Sequence, residues 1–278
     1  MDAAGASEGR EMSGGMVFGR ASRRTFLGVV ALLCAASAAL TVAWCGSMSA
    51  MGWMPMPGGW TLSMAWMRMP GQTWLGAAAS FLGMWLVMMA AMMLPSLAPM
   101  LWRYRQAVAA AGGTRLGQPT ALVAAGYFTV WSLLGIAAFP LGVALVALEM
   151  RLPALARTVT VIAGLVVLLG GALQLTAWKA RQLARCREAP GCCQPLPADA
   201  GTAWRHGLRL GLHCSYCCAG PTAILLALGV MDLRVMAAVT AAITLERLAP
   251  AGEHVARAIG AVAVGAGLLL IAQAAGAG

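Results

Sequence analysis

FLGMWLVMMAAMMLPSLAPMLW, residues 81–102, is an uninterrupted run without a charged side chain. It exceeds the roughly 20 apolar residues that a helix needs to cross a bilayer. Extended back to Leu75 it reads as one membrane span. Comparable apolar segments lie on either side, at Thr25–Trp44, Ala121–Leu148, Val159–Ala177, Leu208–Val230, Val235–Leu248 and Ala258–Gln273. The expected fold is therefore all-α: a polytopic transmembrane helical bundle of about seven spans. The sixth span is the shortest, and its length also suits a re-entrant segment or one buried among other helices.

Composition supports lipid as the solvent. The chain has 278 residues, 60 % hydrophobic and 10 % charged, where soluble domains are about 25 % charged. The net charge of +10 does not point to nucleic acid, because the arginines cluster in short segments between apolar runs, where positive charge sets orientation. With the N-terminus inside, only Arg68, Arg151, Arg157 and Arg234 of the 19 lysines and arginines fall outside. The expected topology is N-terminus in and C-terminus out, in the bacterial inner (cytoplasmic) membrane. Residues 1–24 read as a disordered cytoplasmic tail, 25–46 as the first transmembrane helix and 47–74 as a Met/Trp-rich outer loop. Residues 75–278 read as a six-helix bundle whose inner loop, 178–207, carries cysteines. The basic flank before Thr25 also suits a signal peptide, but the run is long for one and Trp44 stands where an interfacial anchor would.

Sulfur is the second theme, with 19 methionines and eight cysteines. Met88 and Met92 stand four residues apart, in line with Met84, and Met89 and Met93 lie alongside, so they share a helical stripe. Met54 with Met56, and Met67 with Met69, form two MxM pairs in the outer loop. Thioethers are soft, uncharged ligands suited to Cu(I); methionine is equally a flexible filler between helices, and both readings stand. Pro95 and Pro99 follow the stripe and predict a kink.

The densest motif is HCSYCC, residues 213–218. Cys214, Cys217 and Cys218 are spaced i, i+3 and i+4, on one side of a helix, some 8 to 15 Å into the fifth span at 1.5 Å per residue. Three thiolates so placed can fill a site for a soft ion, most simply Cu(I), with other soft metals suited as well. His213 points about 100° away. Small residues at helix interfaces are the structural alternative. Gly220 and Pro221 predict a kink that frees a carbonyl near the thiols. Cys186, Cys192 and Cys193 form a further group in the inner loop, suited to accessory metal transfer or to redox chemistry. Glu246 is the one carboxylate inside an expected span, either functional or paired with Arg247. Cys34 and Cys45 read as small apolar residues.

Five stretches together resemble a known family: MWLVMMAAMMLPSLAPM (84–100), GYFTVWSLLG (126–135), GALQLTAWKARQLARCREAP (171–190), GLRLGLHCSYCCAG (207–220) and GVMDLRVMAAVTAAITLER (229–247). They are similar to the uncharacterised bacterial family of predicted metal-binding integral membrane proteins, a domain-of-unknown-function family. The resemblance implies roles for Met88, Met89, Met92, Met93, Pro95, Lys179, Cys186, Cys217, Cys218, Met231, Met236 and Glu246. Gln182 departs from the pattern where the family often has cysteine, and the His213–Cys214 stretch departs as well.

The expected function is binding of a soft metal ion, most simply Cu(I), for transport or delivery, with a metallochaperone or metalloenzyme as partner. Two alternatives stand beside it. One is a membrane assembly factor or structural subunit of a larger complex. The other is a quinone-linked thiol–disulfide oxidoreductase, which suits adjacent cysteines near a membrane face but leaves the methionines without a role. No GxGxxG, P-loop or HExxH pattern is present, so any use of ATP needs a partner.

Overall fold

The computed structural model describes residues 3–50, 54–55, 61–62, 66, 68, 71–187 and 199–276. The architecture is all-helical. In chain order the helices are α1 (Ala3–Ala50), α2 (Trp74–Ala110), α3 (Gly117–Arg151), α4 (Pro153–Gln174), α5 (Ala177–Arg187), α6 (Ala200–Cys217), α7 (Ala219–Leu228), α8 (Leu233–Leu248) and α9 (Gly252–Gly276). Between α1 and α2 two two-residue strands, β1 (Met54–Pro55) and β2 (Thr61–Leu62), pair antiparallel. Helix α1 begins at Ala3, inside the stretch read from sequence as a disordered tail.

Among the described residues, four helices are long and apolar enough to cross a membrane: residues Ala21–Met48 of α1, together with α2, α3 and α9. Two further spans arise if each bent pair counts as one, α4 with α5 (bent by 66°) and α6 with α7 (63°), which gives four to six. The difference from about seven lies in α8, whose 16 residues fall short of a full crossing. Large apolar side chains such as Leu32, Leu75, Leu141, Leu169 and Val262 project outward, as they would toward hydrocarbon.

Local chemistry sets the boundaries. Thr73 opens α2 by accepting the Gly76 N–H at 3.1 Å, Asp199 opens α6 by accepting the Thr202 N–H at 3.1 Å, and Asp232 opens α8 by accepting those of Arg234 and Val235. Gly229, at φ 127°, turns the chain after α7.

Prolines give two different outcomes. A helical N–H at position i would bond the carbonyl at i−4, and proline has none to offer. Pro95 therefore releases the Ala91 carbonyl, which takes the Cys34 thiol at 3.7 Å instead. Helix α2 stays continuous through both Pro95 and Pro99. Pro221 releases the Cys217 carbonyl, and here the helix breaks at Cys218.

The core forms around one face of α2. Phe81, Met84, Trp85, Met88, Met89, Met92, Met93, Leu97 and Met100 are buried there with Tyr127 and Trp131 of α3, the cysteines of α6 and its C-cap, and Met236 and Ile243 of α8. Trp85 anchors the α2–α3 contact by donating its indole N–H to the Trp131 carbonyl at 2.8 Å. Helix α6 lies close against α3, since a Cβ at Gly126 would come within 2.6 Å of the Trp204 carbonyl. That approach brings the start of HCSYCC to Tyr127.

Candidate metal centre

Five helices converge on the cysteines. On α6 the helical period points Cys214, Cys217 and Cys218 to one side, and all three are buried free thiols. The Sγ atoms of Cys214 and Cys218 are 3.9 Å apart. From α3, the Tyr127 hydroxyl lies 2.9 Å from the Cys214 sulfur. From α8, the Arg247 guanidinium donates through Nη1 to Cys214 Sγ at 3.3 Å and to Ser96 Oγ of α2 at 2.9 Å. Its Nη2 reaches the Met100 thioether at 3.8 Å.

Helix α5 supplies a fourth thiol. The sequence reading placed Cys186 in a loop with Cys192 and Cys193; instead it is helical and buried, donating to the His213 carbonyl at 3.2 Å. The Cys217 thiol lies against those of both Cys186 and Cys218. The signal was present in AWKARQLARCR. Lys179, Gln182, Leu183 and Cys186 are spaced i, i+3, i+4 and i+7, the buried face of an amphipathic helix, while Arg181 and Arg185 are exposed.

Lys179 and Glu246 meet as a buried ion pair, Nζ to Oε2 at 2.7 Å. Gln174 donates to the other carboxylate oxygen. The second use of Lys179 Nζ is a 2.6 Å bond to the Cys217 carbonyl, the group that Pro221 leaves without a helical donor. The carbonyl expected to be freed near the thiols is thus occupied by an ammonium from α5. Glu246 pairs with Lys179, and its neighbour Arg247 turns into the thiol cluster.

The other expected site residues fall as follows. His213 contributes its backbone carbonyl to Cys186, and its Nδ1 is buried with no hydrogen-bond partner. Met88, Met89, Met92 and Met93 are buried in the same core as the thiols. The α2 sulfur that Arg247 touches is Met100, one turn past Ser96. Met54 lies in β1; Met56, Met67, Met69, Cys192 and Cys193 lie outside the described residues. Cys45, read as inert, sets its thiol 3.7 Å from the Met231 thioether. Sequence reading missed Tyr127, Ser96, Met100 and Arg247 as neighbours of the cysteines, because they come from three other helices, α3, α2 and α8.

Among the described residues no three His, Cys, Asp or Glu side chains form a ready-made ligand set. The cluster is a group of thiols and thioethers held close by hydrogen bonds, with two cations and one carboxylate around it. Soft donors dominate, a set that suits soft metal ions over hard cations.

A family model described as copper chaperone (PpoB2) matches residues 82–270. The chain belongs to this copper chaperone family. The match spans α2 to α9 and takes in every residue of the thiol cluster; α1 and the outer loop fall before it. It supports the metal-related part of the resemblance noted in the sequence. No curated protein and no solved structure matches the chain.

Proposed function

We propose that this chain is a multi-pass protein of the bacterial cytoplasmic membrane that binds Cu(I) and delivers it to a metalloprotein partner. The observation that carries the reading is the convergence of four thiols, Cys186, Cys214, Cys217 and Cys218, in the buried core of a member of a copper chaperone family. Thiolates are the strongest soft donors a protein has, and thioethers accept Cu(I) without adding charge. Met88, Met89, Met92 and Met93 line the approach along α2, and Met54, Met56, Met67 and Met69 serve as outer capture ligands.

Orientation follows from charge. The thiol cluster lies at the end of the bundle that carries Arg187 and, just past Met100, Arg103, whose Nη1 donates to the Arg187 carbonyl at 3.3 Å. The positive-inside rule puts that end in the cytoplasm, with the N-terminus in; α8, though shorter than a full span, returns the chain to the thiol end, where Arg247 meets Cys214, so that α9 leaves from there and the C-terminus is out. Reporter fusions at Gly278 and within residues 191–201 then report opposite sides. Fusions on one side would overturn this topology.

The decisive test loads the purified full chain with Cu(I) under reducing conditions and compares it with the variant in which Cys186, Cys214, Cys217 and Cys218 are all serine. Copper should be retained by the wild type and lost by the variant, which still inserts because serine is tolerated in membrane helices. Equal copper in both would place the site elsewhere. A copper-free wild type whose cysteines cycle between thiol and disulfide with a quinone would favour the oxidoreductase instead.

A further inference from the structure

Arg247 is 5 % exposed, and its three neighbours, Ser96 Oγ, Cys214 Sγ and Met100 Sδ, carry no charge as protonated groups. Its Nε is buried and has no hydrogen-bond partner. The ion pairs among the described residues are Lys179–Glu246 and the exposed Arg257–Glu253. The Lys179–Glu246 pair is neutral as a unit. The centre therefore holds one buried positive charge with no carboxylate to balance it, an unfavourable state in a low-dielectric interior. The missing negative charge has one evident source, the Cys214 thiol that Arg247 touches together with its neighbour Cys218, 3.9 Å away.

We propose that Arg247 is the fixed counter-ion of the metal complex and sets its overall charge at −1, so that Cu(I) is held by two thiolates, Cys214 and Cys218. This rests on reading the thiol cluster as the Cu(I) centre. On binding, two S–H bonds break, two S–Cu bonds form, and two protons leave to solvent. No electron is transferred. The product carries one positive charge from copper and two negative charges from sulfur, and Arg247 neutralises the remainder. One thiolate leaves the guanidinium uncompensated; three leave an excess negative charge. Soft-metal–sulfur bonds are roughly 2.3 Å long, so two sulfurs on opposite sides of one ion sit up to about 4.6 Å apart. The 3.9 Å between Cys214 and Cys218 is short of that by less than an ångström. The thiol that Arg247 bonds is Cys214, whereas the Cys186 thiol donates to the His213 carbonyl and Lys179 bonds the Cys217 carbonyl; Cys186 and Cys217 suit transfer rather than residence. A divalent ion between the same two thiolates forms a neutral complex, which leaves Arg247 unbalanced. Arg247 is thus a specificity-determining residue for the charge of the ion.

The test titrates the reduced, metal-free full chain in detergent with Cu(I) and, separately, Zn(II), each against a chromophoric competitor. Arg247→Gln should weaken Cu(I) by about 10- to 100-fold, the range for residues that support metal ligands, while Zn(II) affinity holds or rises. Arg247→Lys, which keeps the charge, should restore most of the preference. Equal loss of both metals in Arg247→Gln would mark a merely structural role and overturn the proposal, as would unchanged Cu(I) affinity. A wild type that binds no Cu(I) would overturn the functional reading itself, a distinct result. A second comparison keeps Arg247 in place. Cys214→Ser and Cys218→Ser should each weaken Cu(I) strongly, and Cys186→Ser should weaken it little. The reverse order would overturn the assignment of the pair.

Discussion

Helices α2 and α9 both pass as membrane spans, yet half of the most apolar window of α2 is buried against other helices and only 17 % of that of α9. The difference lies in which apolar residues they use. Helix α9 meets α4 through small residues. A Cβ on Gly171 would come within 2.7 Å of the Val264 nitrogen, and one on Gly267 within 2.6 Å of the Leu168 nitrogen, so these backbones nearly touch and the remaining faces look outward. Helix α2 turns methionines and aromatics inward and gathers α3, α6 and α8 around them. Apolar character fits both for a bilayer; side-chain size gives α9 a scaffold seam, and sulfur gives α2 a row of soft donors.

Perturbing either side sharpens that contrast. The largest effect on stability is expected at the centre. Lys179→Met removes the partner of Glu246 and the donor to the Cys217 carbonyl at once, and breaking a buried ion pair from one side costs about 3–5 kcal/mol. Thermal unfolding in detergent should show the loss, and the double variant with Glu246→Gln should recover part of it. No change in Lys179→Met would mean that the pair does not hold α5 to α8.

Next comes the seam. Gly171→Leu forces side-chain atoms into the α4–α9 contact, and overpacking of this kind typically costs about 1–3 kcal/mol. The folded fraction should bind Cu(I) as the wild type does. Weakened copper affinity in that fraction would show the two regions to be coupled.

The smallest effect belongs to the outer loop. Replacing Met54, Met56, Met67 and Met69 with leucine keeps the apolar bulk and removes the sulfur. Delivery should fall at limiting copper and recover at higher copper. Unchanged delivery at limiting copper would make the loop a packing segment.

Much of this was legible in the chain. The apolar runs located α1, α2, α3 and α9, and the i, i+3, i+4 spacing put the three cysteines of HCSYCC on one face. Other features were not readable. Hydropathy cannot tell a short buried helix from a span, so α8 entered the count of about seven. Proline marks where a helical bond is lost but not what replaces it. At Pro95 a cysteine thiol from α1 takes the free carbonyl and the helix runs on; at Pro221 a lysine from α5 takes it and the helix breaks. Cys186 was grouped with its neighbours in sequence, although its helical period with Lys179 placed it in the core. A pairing of Arg247 with the adjacent Glu246 was one of two readings of that carboxylate, yet consecutive helical residues point about 100° apart, which sends one toward Lys179 and the other toward Cys214.

The central claim is that copper sits among these thiols, and X-ray absorption at the copper edge of the Cu(I)-loaded full chain tests it most directly. The account predicts a first shell made of sulfur alone, retained when the outer-loop methionines are leucine and lost when Cys214 and Cys218 are serine. A shell dominated by nitrogen or oxygen, or a sulfur shell that survives loss of those two cysteines, would contradict it.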